Sequence, residues 1–317
     1  MTKPTATRGR NVAVALAAAK RLAGSIDGLQ GIDFGWIFKG GVRTNRRGIR
    51  FHVKRKRTLD DIDPHQILPE KIFNIPTDVV EASYAAHAPG PTSLFDPIRP
   101  GISAGNTLRQ TTGTLGLFVS DKQTGDLCML SNWHVFCGSP DVAAGEEITQ
   151  PGPAHLGSLS PRNVATVLKW LPLANGIDAA IAKLISGTAV DLKTLGTNLQ
   201  PIKAANPQVG MRLIKAGVTS GVTRAIVDGV GGSYQIDYTG FGEELRWMDG
   251  FRLIADPALP DDEISLEGDS GAVWVEPNKR WAVGLHFGGE DGLGPLAEYA
   301  LAHPLPLVFA RLNVTIS

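Results

Sequence analysis

Three residues in this 317-residue chain have the types and surroundings that nucleophilic catalysis needs. Ser270 lies in LEGDSGAVWV, between two glycines and directly before an apolar run. Glycines at both sides let the backbone turn tightly, so the amide N–H groups of Gly268 and Ser270 can point at one spot, as an oxyanion hole requires. A Gly-Asp-Ser-Gly tetrapeptide can equally be a plain turn, so the serine must also find a base, and that base an orienting carboxylate. His134, in MLSNWHVF, sits where an apolar run meets a polar turn. Asp178, in NGIDAAIAKL, heads another run. His52, His65, His87 and His303 have basic or proline-rich settings, and His155 lies in a loop. The order His, Asp, Ser, with gaps of 44 and 92 residues, is the pattern to explain.

The elements that would hold these residues are short strands. Thirty-seven glycines and 21 prolines are more turn punctuation than a helical bundle uses. Runs such as GTLGLFV, LCMLSNW, VATVLKWL, MRLIKAG, AVWV and WAVGLHF follow one another without helices between them, a pattern of barrels or a sandwich. Only Leu305 to Leu312 reads as helical in this part. An N-terminal region, residues 1–85, reads as a small α+β domain. It has a helix over residues 11–24, a hairpin with Ile32, Phe34, Trp36 and Phe38 facing Ile49, Phe51 and Val53, and a strand over 78–81. GGVRTNRRG serves as the hairpin's turn. Residues 86–104, rich in proline and glycine, read as a linker over the surface. The remainder, 105–317, divides into barrels near 105–190 and 205–300 and a helix at 305–312.

Charge sums to zero, but residues 1–85 carry 15 Lys/Arg against 8 Asp/Glu, and Lys39 to Arg57 contains nine cations and no acid. A nucleic-acid or acidic-surface binder is the competing class. Arg50, His52 and Lys54 alternate with Ile49, Phe51 and Val53, so the expectation is a solvated strand face, and no nucleic-acid-binding motif accompanies it. The two cysteines, Cys128 and Cys137, have no zinc-ligand spacing. Neither metal nor organic cofactor is expected. No apolar run reaches membrane-spanning length, and the apolar stretch from Asn11 to Ala19 is broken at once by Lys20 and Arg21. The expectation is a cytoplasmic protein.

SNWHV, DAAIAKL and EGDSGAVWV, in that order, resemble the His, Asp and Ser boxes of trypsin-like serine proteases. GTLGLFVSDKQTGDLCMLSNWHV, KAGVTSGVTRAIV and LEGDSGAVW are similar to stretches of the plant narrow-leaf type and its bacterial relatives. The likeness covers roughly residues 100–310. It implies a mainly β, chymotrypsin-like double β-barrel, with His134 and Asp178 from the first barrel and Ser270 from the second. It further implies a serine endopeptidase acting on protein or peptide substrates; the alternative is a protease-like scaffold that has lost activity, against which the intact set of His134, Asp178 and Ser270 argues. Residues 1–85 would then regulate by docking on the cleft, recruiting substrate or forming a homo-oligomer. Ala272 replaces the usual second glycine after the serine, and no activation peptide is evident. Cys128 and Cys137 flank His134 as a disulfide does in secreted relatives, but at other offsets, and two buried thiols are expected. An α/β-hydrolase is excluded by chain order, because only 47 residues follow Ser270.

Counting back from Ser270 puts Ile264 at the floor of the primary specificity pocket, where a trypsin has an aspartate. Ser265 precedes the nucleophile by five residues, and WAVGLHFGG places His286 on the pocket wall. This resembles the glutamyl endopeptidases, in which a hydroxyl and a histidine bind the substrate carboxylate. Preference for an acidic P1 residue is one expectation, and a small or medium apolar P1 the other.

Overall fold

Small side chains on one helix face and β-branched or aromatic ones on a strand are what let a helix lie close on a sheet. In the computed structural model, which describes residues 5–39, 42–82, 90–256, 258, 263–289 and 299–317, this pattern builds the first of two compact units, Met1–Ala88 and Pro89–Ser317. Helix α1 (Thr5–Arg21) buries Ala15 and Ala19 against Ile49, Phe51 and Ile72. The strands are β1 (Leu29–Lys39), β2 (Val42–Val53), β3 (Lys71–Ile72) and β4 (Ile75–Glu81), in the order β1-β2-β4-β3. β1 and β2 are antiparallel, with Phe34 opposite Ile49 and Ile32 opposite Phe51. β4 runs parallel to β2.

The helix starts earlier than the alanine run predicts, and it ends at Arg21, a 3-10 turn carrying the chain through Gly24. Most of the expected turn GGVRTNRRG is strand: Arg43 pairs with Phe38 and Arg47 with Trp36. Both guanidinium groups lie over the Trp36 ring, at 5.2 and 4.3 Å from its centroid, which favours extended backbone there. The solvated face is also corrected. His52 is buried and pairs with Asp33, which also takes the Arg50 guanidinium. Gly31 and Gly35 on β1, opposite His52 and Gly48, leave room for these side chains; a Cβ at Gly35 would collide with the Arg50 fork. Lys54 is exposed as expected.

The second unit contains β5 (Ser103–Asn106), β6 (Gly113–Thr114), β7 (Leu117–Asp121), β8 (Leu127–Ser131), α2 (Trp133–Phe136), β9 (Glu147–Gln150), β10 (Arg162–Trp170) and β11 (Ala180–Leu184). There follow β12 (Lys203–Ala204), β13 (Arg212–Gly217), β14 (Gly221–Asp237), β15 (Leu245–Ala255), β16 (Val273–Glu276), β17 (Trp281–Gly289), β18 (Tyr299–Pro304), α3 (Leu305–Leu312) and β19 (Val314–Ile316). One sheet has the order β19-β7-β8-β11-β10-β9-β5-β6, the other β12-β17-β16-β13-β14-β15-β18, and the β17–β18 pairing closes the second. The fold is a chymotrypsin-like double β-barrel. Leu117, Val119 and Leu130 of the first barrel share one apolar core with Val273 and Leu285 of the second and with Phe309 and Leu312 of α3. The tail does more than form the expected helix: β19 returns to pair with β7, so the last residues tie the helix back onto the first barrel.

The segment read as a surface linker is a second correction. Residues 86–89 lie outside the described residues, but Ile98 and Ile102 are fully buried in the first barrel's core, and the Ile98 amide donates to Ala189 O at 2.9 Å. Proline and glycine punctuate this stretch because it weaves into the barrel, with Gly101 at φ +89°. Ile102→Ala should therefore lower unfolding free energy by about 2–5 kcal/mol; a change within about 0.5 kcal/mol in denaturant titration would return the segment to the surface.

Candidate active site

His134 reaches its position because β8 ends at Ser131 and the chain turns directly into the single-turn helix α2. That turn is held by side chains from the end of β5 and the turn after it: Thr111 Oγ1 donates to Val135 O at 2.6 Å and Asn106 Nδ2 to Phe136 O at 2.8 Å. β11 pairs with β8 so that Ala180 lies opposite Ser131, which brings Asp178 beside the imidazole. His134 Nδ1 and Asp178 Oδ2 are 2.5 Å apart, and the His134 amide donates to Asp178 Oδ1 at 3.2 Å. Asn132 Nδ2 donates to the Asp178 carbonyl at 2.7 Å. Asp178 is fully buried.

Two residues that the sequence did not single out complete its surroundings. Tyr238, on the turn joining β14 and β15, donates its hydroxyl to Asp178 Oδ2 at 2.9 Å. His303, set aside for its proline-rich setting, lies directly behind: its Nε2 accepts the Asp178 amide at 3.0 Å and its Nδ1–H donates to Asp249 O at 2.5 Å. Its ring stacks on Phe287 with centroids 4.0 Å apart. Burial alone would raise the Asp178 pKa, but the charge and hydrogen bond of His134, then His303 and the Tyr238 hydroxyl, hold it below the ordinary carboxylate value. Burial lowers His303 to about 4, so it stays neutral near pH 7.

Ser270 is placed by a loop with two left-handed glycines, Gly268 at φ +98° and Gly271 at φ +94°. Thr114 takes both neighbouring carbonyls: its amide donates to Ser270 O at 2.8 Å and its hydroxyl to Gly268 O at 2.9 Å. With those carbonyls engaged, the amides of Gly268 and Ser270 donate to no acceptor among the described residues. A Cβ on Gly271 would strike Ser131 Oγ, and one on Gly113 would meet both the Val135 side chain and Ser270 O. The serine loop therefore packs directly on the segment carrying His134. No hydrogen bond joins Ser270 Oγ to His134 among the described residues; such bonds are commonly long without substrate.

Beside the serine lies a buried ion pair that motif reading missed. Lys215 and Asp269 are both fully buried at the side chain, with Nζ 2.7 Å from Oδ2. Asp269 also accepts the amides of Thr219 and Ser220 at 3.0 Å each, the Leu266 amide at 3.1 Å and the Ser220 hydroxyl at 2.5 Å. Burial raises its pKa, and the Lys215 charge together with the hydrogen bonds from Lys215 and the Ser220 hydroxyl more than reverses this, so the carboxyl stays below its ordinary value. The available signal was periodicity: Lys215 lies two residues after Leu213 on β13, and so faces inward with it.

The pocket residues separate. Ser265 Oγ and His286 Nε2 meet at 2.8 Å, with the His286 ring edge-on to Trp274. Ile264 is instead wholly buried in the second barrel's core with Leu213, Val227, Trp274 and Val283. It is an apolar residue in an apolar core and presents no surface to a ligand. Burial, reinforced by the charge of Lys215, lowers His286 to about 3, so this imidazole is neutral at pH 7. Cys128 and Cys137 are free and buried, and burial pushes the Cys128 thiol up to about 12. Among the described residues no His, Cys, Asp or Glu cluster is arranged to hold a metal ion, and no helix is long and apolar enough to cross a membrane.

No protein-family model matches the chain, and no curated protein matches it in sequence. Among solved structures it is similar to a glutamic acid specific serine protease described as using a novel histidine triad in substrate binding, with 20% identity and a TM-score of 0.50 over 69% of this chain and all of the other. A Nocardiopsis protease matches at 13% identity and a TM-score of 0.49, over 70% of this chain and all of its own. The first likeness agrees with the fold described above, a chymotrypsin-like double β-barrel.

Lys215→Met would leave Asp269 buried without its cation, and should destabilise the protein by about 3–5 kcal/mol at neutral pH. In the wild type the lowered Asp269 pKa contributes stability above the unfolded value near 4 that is lost as pH falls. In the variant the remaining hydrogen bonds from Thr219, Ser220 and Leu266 oppose burial without the cation, the pKa rises, and acidification relieves the penalty. The stability difference should therefore shrink from pH 7 to pH 4; a difference independent of pH would contradict the pairing.

Proposed function

We propose that the chain is a serine endopeptidase in which His134, Asp178 and Ser270 act as a catalytic triad. The observation that carries this is the His134–Asp178 pair: with Nδ1 engaged by a buried carboxylate, Nε2 is left for the serine loop packed alongside. The proton on Nδ1 is assigned from these bonds. Ser270 Oγ attacks the scissile carbonyl carbon, and His134 Nε2 takes its proton. The resulting oxyanion is received by the amides of Gly268 and Ser270. Collapse breaks the C–N bond as His134 returns the proton to the leaving amine. Water, deprotonated by the same imidazole, then attacks the acyl carbon, and the C–Oγ bond breaks as the imidazole returns the proton to Ser270 Oγ, while Asp178 fixes the imidazole's orientation and stabilises its cation. Neither metal nor organic cofactor enters this scheme.

For the substrate, the Ser265–His286 contact supports an acidic P1 residue. A buried carboxylate needs donors, and the hydroxyl and imidazole are already oriented together. That the similar solved structure is specific for glutamic acid agrees with this. The sequence boxes support a relation to the narrow-leaf type, and residues 1–85 are assigned a regulatory or substrate-recruiting role in a cytoplasmic enzyme.

A fluorophosphonate probe should label the wild type at Ser270 and leave Ser270→Ala unlabelled; labelling that persists in the variant overturns the nucleophile. Asp178→Asn should keep the fold and lose about 10⁴ in turnover, the penalty known for the corresponding change in a well-studied triad. In peptide-library profiling, cleavage should fall after Glu or Asp and be lost in His286→Ala. Cleavage after Leu, Val or Ala that is unchanged by His286→Ala would end the carboxylate-pocket reading.

A further inference from the structure

The second barrel reaches across to the acid carried by the first. β14 and β15 form a long hairpin, paired from Ala225–Ala255 out to Asp237–Leu245, and its turn is stitched by Thr239 N to Asp237 Oδ1 at 2.8 Å and Phe241 N to Tyr238 O at 2.9 Å. From this turn Tyr238 is buried and places its hydroxyl on Asp178 Oδ2, the same oxygen that meets His134 Nδ1. Phe241 packs on the imidazole, ring centroids 5.4 Å apart, and Tyr238 lies 6.2 Å from it. Gly242, at φ +75°, faces Pro140 in the loop beyond α2.

We propose that Tyr238 is a positioning residue for the peptidase reaction: its hydroxyl sets the charge and direction of Asp178, and through it the proton affinity of His134, so that the β14–β15 hairpin is part of the catalytic apparatus. The inference rests on the endopeptidase reading above. A hydroxyl whose ionisation is pushed far above the ordinary tyrosine value by burial and by Asp178 is a permanent donor. Two donors share Oδ2, so removing one leaves the carboxylate more basic and its hold on the imidazolium proton stronger. The groups facing the pair are His303 from β18, Cys137 after α2 and, nearer the serine loop, His286. His303 and His286 are driven to about 4 and about 3 by burial, and burial raises the Cys137 thiol. None of them changes charge between about pH 5 and 8, so none adds an acid limb of its own in that range.

The test is the rate of fluorophosphonate labelling of Ser270 against pH, in wild type and Tyr238→Phe, with thermal unfolding followed in parallel. Loss of one hydrogen bond to a charged group is expected to slow labelling about 10- to 100-fold, and to move the acid limb of the profile to higher pH. A second substitution runs the other way: 3-fluorotyrosine at 238 keeps the ring and strengthens the donor, and should move the limb to lower pH. A limb unmoved in either protein, even with a lower Tm, means a structural role only and overturns the inference while leaving the peptidase reading intact. A wild type that never labels overturns the peptidase reading, and this inference with it.

Discussion

One negative charge at the junction of two barrels governs this structure. Removing a carboxylate from water costs several kcal/mol even after relaxation, and Asp178 is wholly buried. The charge is tolerable only if donors surround it. They come from separate parts of the chain: the His134 amide and imidazole from α2, and the Tyr238 hydroxyl from the β14–β15 turn. His303 on β18 accepts the residue's own amide. Docking of the barrels through Leu117, Leu130, Val273 and Leu285, with α3 packed into the same core, is what lets those donors meet in one place.

The serine loop obeys the same rule with a different charge. Asp269 turns inward to five donors, Lys215 among them, and its neighbour Ser270 stays partly exposed. Thr114 holds the Gly268 and Ser270 carbonyls, and the amides of both residues donate to no acceptor among the described residues. Adjacent residues of one loop thus take opposite environments, and Gly268 and Gly271 supply the left-handed backbone that makes this possible. In the proposed reaction the oxyanion would meet these amides without rearrangement of the donors.

The residues that do the proposed chemistry were legible because their types are rare in combination and their boxes lie at strand ends. Short apolar runs separated by glycine and proline made a barrel or a sandwich legible, and the double barrel followed from the resemblance of the His, Asp and Ser boxes. Tyr238, His303 and Lys215 were not, because each acts on its partner through contacts between distant strands, and nothing in its own neighbours announces that. Ile264 shows the converse: a position counted from the serine without a gap ignores the direction of the side chain, which points into the core. The stretch from Ile98 to Ala104 has linker composition yet is buried, since a chain that enters a barrel by turns uses the same proline and glycine as one that crosses a surface. On β2, Arg50 and His52 look solvated by alternation alone, and Asp33 across the sheet changes their environment.

The proposed triad depends on Asp178 holding His134 as the base, and ¹⁵N NMR of the histidine ring in the free protein tests this most directly. As a neutral imidazole, His134 should carry its proton on Nδ1, with Nε2 bare and able to accept from Ser270, and Asp178→Asn should shift that preference. A His134 that carries its proton on Nε2, or whose tautomer is indifferent to Asp178→Asn, would contradict it.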